Sequence, residues 1–249
     1  MDIVPLLIIF IVGLFSAVFG TLVGGSSLIT IPLLILLGLP PHPAIGTDRI
    51  GVSAIGLAGL YQFHKKGLMR YGVAFILGIP CLLGSFIGAN LAFEVSPAVM
   101  KKSIAVMTLA LLLILMAKTN RGIEKSSRPL TTGVVVTGSI LSLIAGIYGG
   151  FYGAGAATFL SYILIFVFGQ TFLESAATLK IASILMTLTA AITFAAHGAV
   201  HYPLAVSLFS GSFIGSTVGA YYSDRIGNVW IKRIFIGVVL IMAIKLLMT

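Results

Sequence analysis

Two cations stand in apolar surroundings in this sequence. Arg49 lies in Ala44-Ile45-Gly46-Thr47-Asp48-Arg49-Ile50-Gly51 and Lys180 in Ser175-Ala176-Ala177-Thr178-Leu179-Lys180-Ile181, each a turn or more inside a helix-like stretch. A charge at membrane depth costs on the order of 3 kcal/mol on insertion scales, so ionisable residues there are functional candidates by default. Two cations beside glycine-rich breaks, which leave backbone N–H groups and positive helix ends unpaired, suit an anion. The competing roles are snorkelling to lipid headgroups and, for Arg49, pairing with adjacent Asp48.

Hydroxyls flank the same breaks. Ser26, Ser27 and Thr30 lie after the first, and Thr158 and Ser161 after the second, while Thr47 and Thr178 fall in the first turns of the cation-bearing helices. All can donate to an oxyanion; all can equally cap a helix or bond the preceding turn. Tyr148 and Tyr152 either border a cavity or anchor at a membrane boundary. The chain lacks a phosphate loop, a His-Glu-x-x-His pair and a Gly-x-Ser-x-Gly elbow, which weighs against an ATP-driven pump or a hydrolase. His64, His197 and His201 fall in loops without ligand partners, and Cys81 is alone, so no metal site, cofactor or internal disulfide is expected.

The elements that position these residues must be membrane helices. Of 249 residues 59% are apolar, and only 15 Lys and Arg with 6 Asp and Glu are charged; mean hydropathy is +1.16. At about 17–25 residues per span the chain divides into roughly eight to ten spans with no room for a soluble domain. The fold expected is all-α and polytopic, in contact with the lipid bilayer. The net charge of +9 reflects Lys and Arg in the gaps between apolar runs, as the positive-inside rule describes, and not a nucleic-acid partner.

Apolar segments run near 4–22, 26–38, 45–63, 73–93, 103–118, 130–148, 154–168, 175–195, 204–222 and 234–248. The second and seventh are short, and each follows a glycine-rich break, containing Gly24-Gly25 or Gly153-Ala154-Gly155. Short, interrupted segments at matching places in two halves point to a transporter site. A shift of 131 residues places Gly24 on Gly155, Gly38 on Gly169, Thr47 on Thr178, Gly67 on Gly198, Tyr71 on Tyr202 and Gly84-x-x-x-Gly88 on Gly215-x-x-x-Gly219. Gly, Thr and Tyr in one register indicate duplication, with repeats at 1–119 and 130–249 joined by a basic linker at 120–129. The paired glycines four apart are helix-packing faces. Pro80, without a counterpart, is expected to kink its helix.

Charge arbitrates the topology. If every segment crosses, Lys65, Lys66 and Arg70 share a side with Lys118, Arg121, Lys125, Arg128, Arg225, Lys232 and Arg233, ten cations against Lys101 and Lys102. If each short segment dips and returns, the division is seven against five. The rule favours five crossings per half, and an odd number makes the second copy inverted.

These residues resemble the TauE/SafE family of sulfite-exporter-like permeases. The likeness is carried by Gly20-Thr-Leu-Val-Gly24-Gly25-Ser-Ser27-Leu-Ile-Thr30-Ile-Pro32, by Leu39-Pro40-Pro41-His42-Pro43-Ala44-Ile45-Gly46-Thr47, and more loosely by Gly149-Gly150-Phe-Tyr-Gly153-Ala-Gly155. The resemblance implies transport of sulfite, sulfoacetate, thiosulfate or related anions across a prokaryotic inner membrane without ATP hydrolysis. It also implies seven or eight spans, against the five per half that charge favours. Under it Gly24, Gly25, Ser26, Ser27, Thr30, Gly153 and Gly155 line the anion path. The expectation is a secondary transporter working by alternating access, with H⁺ or Na⁺ as the alternative coupling ions. The rivals are an anion channel, a membrane enzyme acting on lipid, and a subunit of a larger membrane complex.

Overall fold

A computed structural model describes residues 3–116 and 129–223. The basic residues Lys118, Arg121, Lys125, Arg128, Arg225, Lys232 and Arg233, and the apolar segment 234–248, lie outside the described residues. Nine helices make up the described part, with no strand among them: α1 (Ile3–Val23), α2 (Ser27–Leu36), α3 (Pro41–Lys65), α4 (Tyr71–Phe93), α5 (Pro97–Met116), α6 (Thr132–Phe151), α7 (Ala156–Phe166), α8 (Phe172–Ala196) and α9 (Tyr202–Tyr221).

Local chemistry sets the boundaries. Pro40 and Pro41 open α3, since proline at the first helical position lacks only an N–H that would be orphaned anyway. A capping box opens α8: Thr171 accepts from the Glu174 N–H and the Glu174 carboxylate accepts from the Thr171 N–H. Gly67 and Gly198 close α3 and α8 with φ of 65° and 67°, a left-handed turn that side chains with a Cβ resist. α4 runs unbroken through Pro80. Ser139 Oγ donates at 3.4 Å to the carbonyl of Ile76, four residues earlier, which the proline leaves without its helical donor.

Five of these helices, α1, α4, α6, α8 and α9, are long and apolar enough to cross a membrane. α2 and α7 have 10 and 11 residues, about 15 Å at 1.5 Å per residue, half of a hydrocarbon core about 30 Å thick. The expected segments 26–38 and 154–168 are therefore half-helices that cannot span alone. α3 is long but polar, and its neighbours enclose it: Thr47, Asp48, Arg49 and Ser53 are all buried.

Packing fixes the directions. A Cβ on Gly211, Gly215 or Gly219 of α9 would overlap the carbonyls of Phe10, Leu14 or Val18, so α9 runs parallel to α1 at backbone contact. Gly84 and Gly88 approach the carbonyls of Leu143 and Ile147 in the same way, so α4 runs parallel to α6. α3 runs with α9, Gly51 facing Leu208 and Ile55 facing Ser216. α3 and α8 are antiparallel, Gly56 meeting Ile184 and Gly59 meeting Lys180. Hence α1, α3 and α9 point one way and α4, α6 and α8 the other. Each half-helix folds back on its predecessor: Ser26 Oγ reaches Ser16 Oγ at 2.8 Å beside α1, and α7 packs Leu160 and Ile163 into the cluster that holds Ala145 of α6. The end of α9 lies beside Lys66, whose Nζ donates to the Tyr221 carbonyl and to Ser223 Oγ.

Candidate functional site

The two half-helices begin at glycine turns in the interior. Gly24 and Gly25 have φ of 78° and 85°, and Gly153 and Gly155 have φ of 79° and 75°, so the chain reverses in conformations that a Cβ would strain. The turns touch: a Cβ on Gly24 would come within 3.0 Å of Ala157 Cβ and of the Thr158 backbone nitrogen and hydroxyl. No side chain caps the N-terminus of α2 or of α7. Two positive helix ends thus converge on one point from opposite directions.

Beside that point lies a cavity of about 40 Å³, enough for one water or one very small solute. Gly24, Gly25, Ser26 and Ser27 line it from the first turn, Gly153 and Gly155 from the second, and Arg49 and Lys180 from α3 and α8. Both cations are buried, at 1% and 2% exposure, which excludes snorkelling to headgroups.

Their environments differ. Arg49 Nη2 donates to Asp48 Oδ2 at 2.5 Å and to Ser27 Oγ at 3.1 Å. Ser27 Oγ also donates to Asp48 Oδ2 at 2.7 Å, and Thr30 Oγ1 donates to Asp48 Oδ1. The carboxylate is satisfied on both oxygens, as a buried charge must be. Arg49 Nε has no hydrogen-bond partner. A Cβ on Gly153 would overlap Arg49 Nη1, so the guanidinium lies against the bare second turn. Lys180 Nζ donates to the Thr21 carbonyl at 2.7 Å, near the end of α1, and stands 5.7 Å from the centre of the Phe63 ring. Lys180 thus bonds across to the end of α1, while Arg49 bonds within its own half and lies against the Gly153 turn of the other. With both cations protonated, one guanidinium, one ammonium and one carboxylate leave a single net positive charge at the cavity.

The remaining sequence-predicted residues fall outside the lining. Thr30 stands behind it, bonded to Asp48 and to the Ser26 carbonyl. Thr158 and Ser161 are buried on α7, with Thr158 against Gly24. Thr47 and Thr178 are occupied elsewhere: Thr47 Oγ1 accepts from the His201 N–H at 2.9 Å and Thr178 Oγ1 from the Arg70 N–H at 3.3 Å, at the entrances to α9 and α4. Tyr152 is fully buried and Tyr148 donates to the Ala154 carbonyl at 2.7 Å, so both brace the second turn and neither is a boundary anchor. Ser183 and Thr187 also line the cavity; with Lys180 they fall at i, i+3 and i+7 on α8, a helical spacing visible in the sequence. Among the described residues no cluster of three potential metal ligands occurs. His64 pairs with the Tyr71 hydroxyl, His197 stacks on Phe93, and His201 caps α9.

Apolar helices with exposed aliphatic faces, half-helices meeting head to head and a buried charged cavity define a helical membrane protein with an internal polar site. Comparison with known proteins makes this specific. Residues 9–246 match the family model described as sulfite exporter TauE/SafE, and the chain belongs to that family. It is 28% identical over 242 residues, 97% of this chain and 94% of the relative, to a probable membrane transporter protein of Haemophilus influenzae. Similarity extends to the probable membrane transporter protein YdhB of Bacillus subtilis, 26% identical with 91% and 92% of the two chains covered. It extends also to YfcA of Escherichia coli, so described as well, at 22% with 98% and 90% covered. No solved structure matches the chain. The protein is thus a membrane transporter of the TauE/SafE family.

Proposed function

We propose that this protein is a secondary transporter that carries a small sulfur-containing anion, such as sulfite, thiosulfate or sulfoacetate, across the cytoplasmic membrane by alternating access. The observation that carries the reading is the burial of Arg49 and Lys180 around one cavity at the meeting point of two uncapped half-helices. Positive charge and backbone dipoles so placed favour a negative solute. Ser26 and Ser27 supply hydroxyls, and the four turn glycines supply close backbone approach. The two repeats, 1–119 and 130–249, are read as inverted copies.

Helix direction supports that reading, since α1 opposes its counterpart α6, α3 opposes α8 and α4 opposes α9. Two pairs of distant hydrogen bonds support it as well. Ser85 Oγ donates to the Met186 carbonyl at 2.7 Å while Ser216 Oγ donates to that of Ile55 at 3.0 Å, each the image of the other under the 131-residue shift. The threonine bonds to His201 and Arg70 form the second such pair. Rocking of one copy on the other would expose the cavity alternately to each side. An anion channel is the alternative, and counterflow separates the two. Proteoliposomes preloaded with unlabelled sulfite should transiently concentrate labelled sulfite from outside if the protein is a carrier; steady anion current without counterflow would mean a channel.

A further inference from the structure

We propose that Asp48 is a proton site coupled to the charge of the solute, so that a divalent anion moves together with one proton carried on Asp48. The inference rests on the transporter reading above and concerns the carboxylate behind the anion cavity. Asp48 is fully buried and accepts from Arg49, Ser27 and Thr30. Arg49 lines the cavity and Asp48 stands behind it. Arg49 Nε is a fully enclosed donor with no hydrogen-bond partner.

Charge then decides the stoichiometry. With Arg49 and Lys180 both protonated and Asp48 ionised, the site holds one net positive charge, and a monovalent anion neutralises it unaided. A divalent anion would leave a buried uncompensated negative charge, which a dry interior penalises strongly. One proton on Asp48 removes the excess. The carboxylate becomes a carboxylic acid, the Arg49–Asp48 ion pair gives way, and the guanidinium is free to face the anion with two parallel N–H groups. The protonated oxygen keeps a use, because Ser27 and Thr30 hydroxyls can accept as well as donate. On release into either aqueous phase the anion leaves, the proton returns to water and the ion pair re-forms.

Among the titratable and charged groups around Asp48, Lys180 is the rival proton acceptor, and D48N separates the two. Its own helix contributes Arg49, and α8 contributes Lys180. Tyr148 of α6 lies toward Arg49, and Tyr152, just past the end of α6, stands edge-on to Tyr148. α9 contributes His201, whose backbone bonds the neighbouring Thr47 and whose ring caps α9. α2 contributes hydroxyls only.

The test is proton uptake on binding, read with a pH dye in weakly buffered detergent solution of the full-length protein, with thiosulfate as the permanently divalent probe and methanesulfonate as the monovalent one. The expected result is one proton taken up per thiosulfate bound and none per methanesulfonate. In proteoliposomes thiosulfate entry should acidify the lumen one for one. Zero protons per bound thiosulfate in the wild type overturns the proposal, whatever any variant does. D48N should abolish proton uptake in whatever binding remains, D48E should keep it, and E174Q, at the one acid on α8, should keep it. Uptake that persists in D48N or vanishes in E174Q also overturns the assignment. If the wild type neither binds nor moves any sulfur anion, the transporter reading itself fails, a result distinct from proton-free thiosulfate transport.

Discussion

Gly153 is the residue on which the guanidinium of Arg49 depends most directly. Any side chain there occupies the space of Nη1 and also meets a φ of 79°, which costs an L-residue about 1–2 kcal/mol. Gly153→Ala should therefore displace Arg49 and reduce anion flux by more than its loss of thermal stability accounts for, a comparison that parallel flux and unfolding measurements make. Gly24→Ala should act similarly through the Thr158 contact. Asp48 has a different weight. It compensates Arg49, and removing one partner of a buried ion pair typically costs about 3–5 kcal/mol. Asp48→Ala should lower the unfolding temperature more than Lys180→Gln, whose partner is a neutral carbonyl; equal effects would contradict the ion-pair geometry. Burial of Arg49 and Lys180 was legible from their apolar flanks. The direction in which Arg49 turns was not, since Asp48 is adjacent on the chain and the decision belongs to Ser27 and Thr30 on another helix.

At the scale of elements, small residues govern helix contact. α1 meets α9 and α4 meets α6 with glycines against backbone carbonyls, an approach that tolerates no added methyl. Gly88→Ala and Gly219→Ala should each destabilise the protein by about 1–3 kcal/mol, read as a fall in the detergent unfolding midpoint, and by similar amounts if the two crossings are equivalent. Thr47→Val and Thr178→Val should each cost about 1 kcal/mol, because each leaves a backbone N–H at a helix entrance without its acceptor. The glycine spacing and the brevity of α2 and α7 were readable from the sequence, because both follow from local chain chemistry. The partners of Thr47 and Thr178 were not, for they lie 154 and 108 residues away. A hydroxyl in a first helical turn reads identically whether it faces a ligand or another loop.

For the whole molecule, composition and hydropathy sufficed to place the chain in a membrane, since so few charges cannot cover a soluble surface. Topology was less legible. Counting apolar segments treats α2 and α7 as spans, whereas both are half-length and turn back inside the protein. The reversal still returns the chain to the side where it started, so the parity that charge favours does not depend on their crossing. If Lys66 and the end of α9 share the cytoplasmic side, a cysteine at Ser223 should react with membrane-impermeant maleimide only in inside-out vesicles, and one at His197 only in right-side-out vesicles.

The account stands on the claim that Arg49 and Lys180 face an anionic solute. Its most direct measurement is flux of radiolabelled sulfite, thiosulfate and sulfoacetate into proteoliposomes containing wild type, Arg49→Gln or Lys180→Gln. A hydrogen bond to a charged group is worth about 1.5–3 kcal/mol, so each variant should lose roughly tenfold to a hundredfold of the wild-type flux of at least one of these anions while remaining folded. Undiminished flux through both variants would contradict the claim.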